Sequence, residues 1–129
     1  MSGEIADIEY VDPSIETHEF GISFFTSDIK FEVLKMKGST FIWIGEKKDS
    51  KFSDLSFGIP STNCSESSTT RILGIASSNT TSEMMAQKLS KKLKKPVYVS
   101  FNSDVSNKFL LEKIQERLVE EIDLHSELF

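Results

Sequence analysis

Apolar positions recur at every second residue over much of the N-terminal half of the chain. Phe20, Ile22 and Phe24 alternate with polar neighbours, and Ile29, Phe31 and Val33 repeat the pattern. A period of two puts alternate side chains on one face of a strand, so two half-buried strands are predicted, the first starting near Glu16. Beyond Val33 the phase slips to Leu34 and Met36, which calls for a bulge or for a strand apolar on both faces. Lys37-Gly38 offers a tight turn into Ser39–Ile44, completing a hairpin.

The third strand is different in kind. Phe41-Ile42-Trp43-Ile44 is continuously apolar, so both of its faces must be shielded from water. Gly45 ends it, and the charged run Glu46 to Lys51 reads as a loop. Leu55, Phe57 and Ile59 then alternate up to Pro60, which closes a fourth strand. Ser61 to Thr70 holds seven Ser and Thr and no large apolar residue, as an exposed loop would. A fifth strand is expected over Arg71 to Ile75.

The period then lengthens to that of helices. Thr80 and Glu83 fit a capping box, in which hydroxyl and carboxylate satisfy the orphan N–H groups of a helix start. Met85, Ala86, Leu89 and Leu93 share one arc of this helix, while Lys88, Lys91, Lys92 and Lys95 share the opposite arc with Met84. Pro96 stops the helix, and Val97, Val99 and Phe101 alternate as a sixth strand. A last helix is expected from about Asn107 to Leu124, with Leu110, Leu111, Ile114, Leu118 and Ile122 inward. Glu112, Glu116, Glu120 and Asp123 line its far side. The resulting fold class is α+β: a single six-stranded antiparallel sheet in the order β-β-β-β-β-α-β-α, with two helices packed on one face.

Length and charge narrow what such a fold can do. The 129 residues suit one domain, with residues 1–15 as an acidic, flexible leader and residues 16–129 as the folded unit. Fifteen Lys and Arg against twenty Asp and Glu leave a net charge of −5, which argues against a general nucleic-acid binder. No apolar run approaches the roughly 20 residues of a membrane span. A lone Cys64 cannot close an internal disulfide, and no basic N-terminal segment resembles a targeting signal, so a cytoplasmic or nuclear location is expected.

Chemistry finds little purchase. His18, His125 and Cys64 are too few and too scattered for a zinc site, and no Gly-rich phosphate loop exists among the six glycines. No catalytic residue, cofactor or metal is assigned. The Glu112, Glu116, Glu120 row reads as a solvated face, or as an acidic strip for a basic partner to which Phe109 in the same arc would contribute. The lysine arc reads as a solubilising face, an anionic-lipid patch or a contact for an acidic protein, and Met84 within it favours the protein contact. For the two-sided third strand the alternatives are a closed barrel or a second sheet supplied by another subunit. The second makes this a dimerising module, with Phe41, Trp43, Leu55 and Phe57 at the interface.

Three segments together resemble a known family. They are Phe41-Ile42-Trp43-Ile44-Gly45, the stretch from Thr80-Thr81-Ser82 through Ala86-Gln87-Lys88-Leu89-Ser90-Lys91-Lys92, and Lys95-Pro96-Val97-Tyr98-Val99-Ser100-Phe101-Asn102. With the terminal helix, Phe109-Leu110-Leu111 to Glu120-Glu121-Ile122, they look like the proteasome assembly chaperone 4 family over about Glu16 to Asp123. The resemblance implies a non-catalytic chaperone that pairs, sheet to sheet, with a proteasome assembly chaperone 3-like subunit. The heterodimer would help proteasome α subunits form their ring, with a homodimer open to the isolated chain. Contact with the α subunits would fall to Met84, Lys88, Lys91 and Lys92, or to Phe109, Glu112 and Glu116. The chain ends Glu127-Leu128-Phe129, without the Tyr of the hydrophobic-Tyr-any tail with which some other assembly chaperones dock, so that mechanism is not carried over. The alternative is a pleckstrin-homology-like adaptor binding lipid or peptide, against which a helix between the fifth and sixth strands argues.

Overall fold

The computed structural model describes residues 15–60, 68–74, 80–103 and 108–129. Strands β1 (Glu16–Phe24) and β2 (Ser27–Met36) form an antiparallel hairpin in which Phe20 lies opposite Phe31. After Lys37-Gly38, β3 (Ser39–Glu46) returns along β2. Gly38 takes φ +81° there, a left-handed conformation that costs a residue without Cβ little. Both pairings of β2 run unbroken through the phase slip, so no bulge occurs. Leu34 lies opposite Phe41 and Met36 opposite Ser39, on the face away from Phe31 and Val33, so β2 carries apolar residues on both faces.

The elements follow the expected chain order, but the expected all-antiparallel pairing fails at β4 (Leu55–Ile59). It does not pair with β3. Strand β6 (Val97–Phe101) lies between them, parallel to β3 and antiparallel to β4, and β5 (Ser68–Leu73) forms the far edge. The order is β1-β2-β3-β6-β4-β5, so the sheet is mixed rather than purely antiparallel as expected. The reason is directional. Strands β5 and β6 both oppose β4, hence run parallel to each other, and a parallel return needs a crossover, supplied by helix α1 (Thr81–Leu93). β5 also starts earlier than the expected Arg71, because Ser68 to Thr70 pair with Ile59 to Phe57. Ile75, Cys64 and residues 61–67 of the expected loop lie outside the described residues, as do residues 1–14 of the expected leader.

Both helices pack on one face of the sheet. From below, Phe31 and Val33 of β2, Ile42 and Ile44 of β3, and Val97, Val99 and Phe101 of β6 meet Met85, Ala86 and Leu89 of α1. Leu110, Ile114, Leu118 and Ile122 of α2 (Lys108–Leu124) complete the same core. The expected capping box at α1 is not made: Thr80 is the N-cap residue without a side-chain cap bond, and Glu83 instead accepts from Arg71 Nε at 2.8 Å. Lys94 ends α1 in the left-handed conformation, φ 57°, two residues before Pro96.

α1 sits very close to β4. A Cβ added at Gly58 would lie 2.4 Å from the Ala86 carbonyl oxygen and 3.1 Å from Ser90 Oγ, and next to it Ser56 and Ser82 share a buried hydrogen bond of 2.8 Å. Gly58→Ala is therefore expected to push helix and sheet apart and to destabilise the fold by about 2 kcal/mol. Urea denaturation should show a lower midpoint at unchanged slope, and a variant as stable as the parent would disprove the close contact.

Candidate functional site

With both helices on one side, every second residue of the central strands faces the other way. The register aligns these residues in a straight row: Leu34 beside Phe41, Phe41 beside Tyr98, Tyr98 beside Phe57, and Phe57 beside Thr70. Phe57 and Tyr98 have ring centroids 4.4 Å apart, and Phe52 stacks on Phe41 at 6.0 Å. Leu34, Phe41, Leu55, Phe57 and Tyr98 are half-buried, and Ile59, Ile72 and Leu73 extend the exposed apolar surface along β4 and β5. The strand order puts β1 and β5 at opposite edges, so the sheet is open and the closed-barrel explanation does not apply.

Of the four residues expected on this face, Phe41, Leu55 and Phe57 are half-buried on the side away from the described helices. Trp43 is only 8% exposed. Its Nε1 donates to the Lys51 carbonyl at 3.1 Å, so the loop after β3 folds back and covers the indole. Gly45 leaves room for the ring, since a Cβ there would lie 2.6 Å from Trp43 Cη2. Between loop and sheet runs a cleft of about 290 Å³ lined by Lys30, Glu32, Phe41, Trp43, Lys47 and Phe52. Tyr98 was missed by sequence reasoning. The Val97-Tyr98-Val99 alternation places it off the core face, but nothing in the sequence sets it between Phe41 and Phe57.

The residues expected to contact a larger partner lie on the helical side. Met84 is 49% exposed on α1, beside the exposed Lys88, Lys91 and Lys92. On α2, Phe109, Glu112 and Glu116 are exposed. Lys92 also pairs at 3.1 Å with Asp123 of α2, seven residues beyond Glu116. Neither group joins Phe41, Leu55 and Phe57, which face away across the sheet.

His18 and His125, too scattered in sequence for a zinc site, come together at the β1–α2 contact, their rings 6.3 Å apart. His18 Nε2 and Glu121 Oε2 lie 2.6 Å apart, and Arg117 Nη1 donates to Glu121 Oε1 at 2.7 Å. The Arg117 guanidinium also lies 4.9 Å over the Phe20 ring, so β1 and α2 are joined by charge and ring contacts at once. The end of the chain packs beside this cluster. Phe129 is buried, its ring 6.2 Å from that of Phe20, and its carbonyl accepts from Thr40 Oγ1 at 2.8 Å and from Lys95 Nζ. Burial, and then the nearby Lys35, push Lys95 below the ordinary lysine value. Among the described residues no group of three or more His, Cys, Asp or Glu could hold a metal ion, and no helix is long and apolar enough to cross a membrane.

Comparison with known proteins gives a consistent answer. The family model for proteasome assembly chaperone 4 matches residues 28–102. The chain is similar to the human protein of that name, 28% identical over 115 residues, which cover 89% of this chain and 91% of the human one. It is likewise similar to the mouse protein, 29% identical over 119 residues, covering 92% and 94%. A crystal structure of a chaperone complex for yeast 20S proteasome assembly contains a chain of the same fold. Its TM-score is 0.66 at 18% identity, over 90% of this chain and 98% of that one.

The buried Glu121 makes the β1–α2 contact pH-dependent. Burial opposes its charge, but the hydrogen bonds from His18 and Arg117 outweigh burial and hold the carboxyl below its ordinary value of 4.5. A depressed folded value means stability that is present above pH 4.5 and lost as pH falls through the folded value. Glu121→Gln should cost about 2 kcal/mol at pH 7. Below pH 4.5 the gap between parent and variant should narrow, measured by denaturant midpoints from pH 7 to pH 3.

Proposed function

The chain belongs to the proteasome assembly chaperone 4 family, and on that premise we propose that it acts by holding rather than by catalysis. It pairs through its open sheet face with a similar small chaperone, of the assembly chaperone 3 kind, and the pair assists assembly of the proteasome α-subunit ring. The observation that supports this reading is the half-buried aromatic row Phe41, Tyr98 and Phe57, on the side of the sheet away from the two described helices. Apolar surface of this kind marks interfaces. A second sheet laid on the row would bury it at the usual spacing of stacked sheets, roughly 10 Å.

Holding works by differential affinity. The pair would favour one arrangement of neighbouring α subunits through complementary contacts, and disfavour others by clashes or unpaired charge. Its charged helical side would set encounter rate and choice of partner. When later subunits compete for the same surface, the pair is displaced. The adaptor alternative, binding lipid or peptide, draws no support from the open sheet or from the crossover helix between β5 and β6.

Burial now separates the two aromatic positions that sequence alone grouped together. Phe57→Ser with Tyr98→Ser should weaken pairing with the assembly chaperone 3-like subunit by about thirtyfold or more, as central aromatic anchors do. The melting temperature of the isolated chain should change less than on Trp43→Ala, which empties a covered site and should cost about 3 kcal/mol of fold stability. Sedimentation velocity with the purified partner, alongside thermal melts, reads both. Pairing unaffected by the double substitution would remove the open face as the interface, and affinity purification without α subunits would remove the assembly role.

A further inference from the structure

Helix α2 presents to solvent a carboxylate row that its own basic residues neutralise only at Glu116. Glu112, Glu116, Glu120 and Asp123 are all exposed, at steps of three and four along one side. Like charges at this spacing oppose one another. Arg117 could have relieved them, but its guanidinium is turned inward to Glu121 and the Phe20 ring. Lys113 meets Glu116 at 3.4 Å and Lys92 meets Asp123 at 3.1 Å, while no ion pair reaches Glu112 or Glu120 among the described residues.

This side is not simply polar. Val119 is 41% exposed and Leu124 63%, and with Gln115 and the four acids they line a shallow groove of about 700 Å³. The His18–Glu121–Arg117 contacts fix how α2 is rotated about its axis, so row and groove are held ready before anything binds. The sign of the charge excludes nucleic acid and anionic lipid as occupants. The carboxylates are strung along the helix rather than converging, and no metal-holding group was found among the described residues.

We propose that this groove docks a basic amphipathic segment of a protein partner. Lys or Arg side chains of that segment would meet Glu112, Glu116 and Glu120, and an apolar side chain would sit over Val119 and Leu124. Taking a proteasome α subunit as the carrier of the segment rests on the chaperone reading, whereas the chemistry of the groove does not.

The test uses the full chain in cells, with a photo-crosslinking amino acid at position 119 and mass spectrometry of the crosslinked peptide. A peptide rich in Lys and Arg with interleaved apolar residues is expected. Its yield should drop roughly tenfold when Glu116→Lys and Glu120→Lys are added, and should fall as salt is raised. Glu112→Gln with Glu120→Gln should give a smaller loss, and thermal melts of both variants should match the parent because none of these side chains touches the Glu121 contacts. No crosslink, a crosslink to an acidic or uncharged segment or to another copy of this chain, or a yield indifferent to charge reversal would overturn the proposal. Recovery of α subunits is scored separately. If the chain without charge reversal recovers them but gives no crosslink from position 119, the chaperone reading stands and the groove fails. If the basic peptide maps to a protein outside the proteasome and α subunits are not recovered, the groove stands and the chaperone reading fails.

Discussion

Strand β6 is hydrogen-bonded along both edges, parallel to β3 and antiparallel to β4, and without it the sheet would be a three-stranded meander and a separate hairpin. Those two pieces are local in sequence and could form early; the strand that joins them comes only after α1. Because the joining strand runs parallel to β3, the chain must cross over before it can enter, so α1 carries the connection as well as half of the core. The close approach of Gly58 to Ala86 follows from the same geometry. α1 lies over β4 on its way to β6, and only a residue without a side chain fits beneath it.

The slot for β6 also needs its rim fixed, and one acidic residue does much of this. Asp54, just before β4, accepts from the Phe101 amide and from Arg71 Nη1, and its carbonyl accepts from Ser100 Oγ. Asn102 adds bonds to Ser53 and to Ile44, stitching the loop after β3 to the end of β6. Two departures from the expected structure trace to this clamp. Arg71 bridges Asp54 and Glu83, so Glu83 is taken by a partly buried ion pair and is not free to cap α1. The anchored loop is also the one that closes over Trp43.

These dependencies explain what could be read from the sequence. Period-two alternation marked β1, β2 and β4 because each shows one face to the core, and the arcs of α1 and α2 were legible for the same reason. Alternation says that a segment is a strand and which residues share a face; it does not say which strand lies beside it. The neighbour of β3 depends on a loop without apolar periodicity and on a strand more than fifty residues later, so the mixed sheet was not legible. The continuous run Phe41 to Ile44 signalled two faces in need of cover: Ile42 and Ile44 are buried under the helices and Trp43 on the other face, while Phe41 there is half-buried. Its cover on the outer face is in part the chain's own charged loop, through the Lys51 carbonyl, which offers no side-chain pattern to detect. Tyr98 entered the candidate site only when β6 moved between β3 and β4, and the acidic row on α2 was visible from helical spacing alone.

A central strand of a sheet has two faces to cover, and the two helices among the described residues cover one of them. The loop after β3 is a partial third layer: it closes over Trp43 and lays Phe52 on Phe41, but stops short of Tyr98 and Phe57. This division lets the isolated chain protect its largest aromatic group while leaving a smaller apolar row open. The strands that would meet a partner, β3, β6 and β4, are also those that carry the core beneath the helices. A substitution that disorders the fold would therefore abolish pairing as well, and only side chains on the uncovered face can separate the two effects.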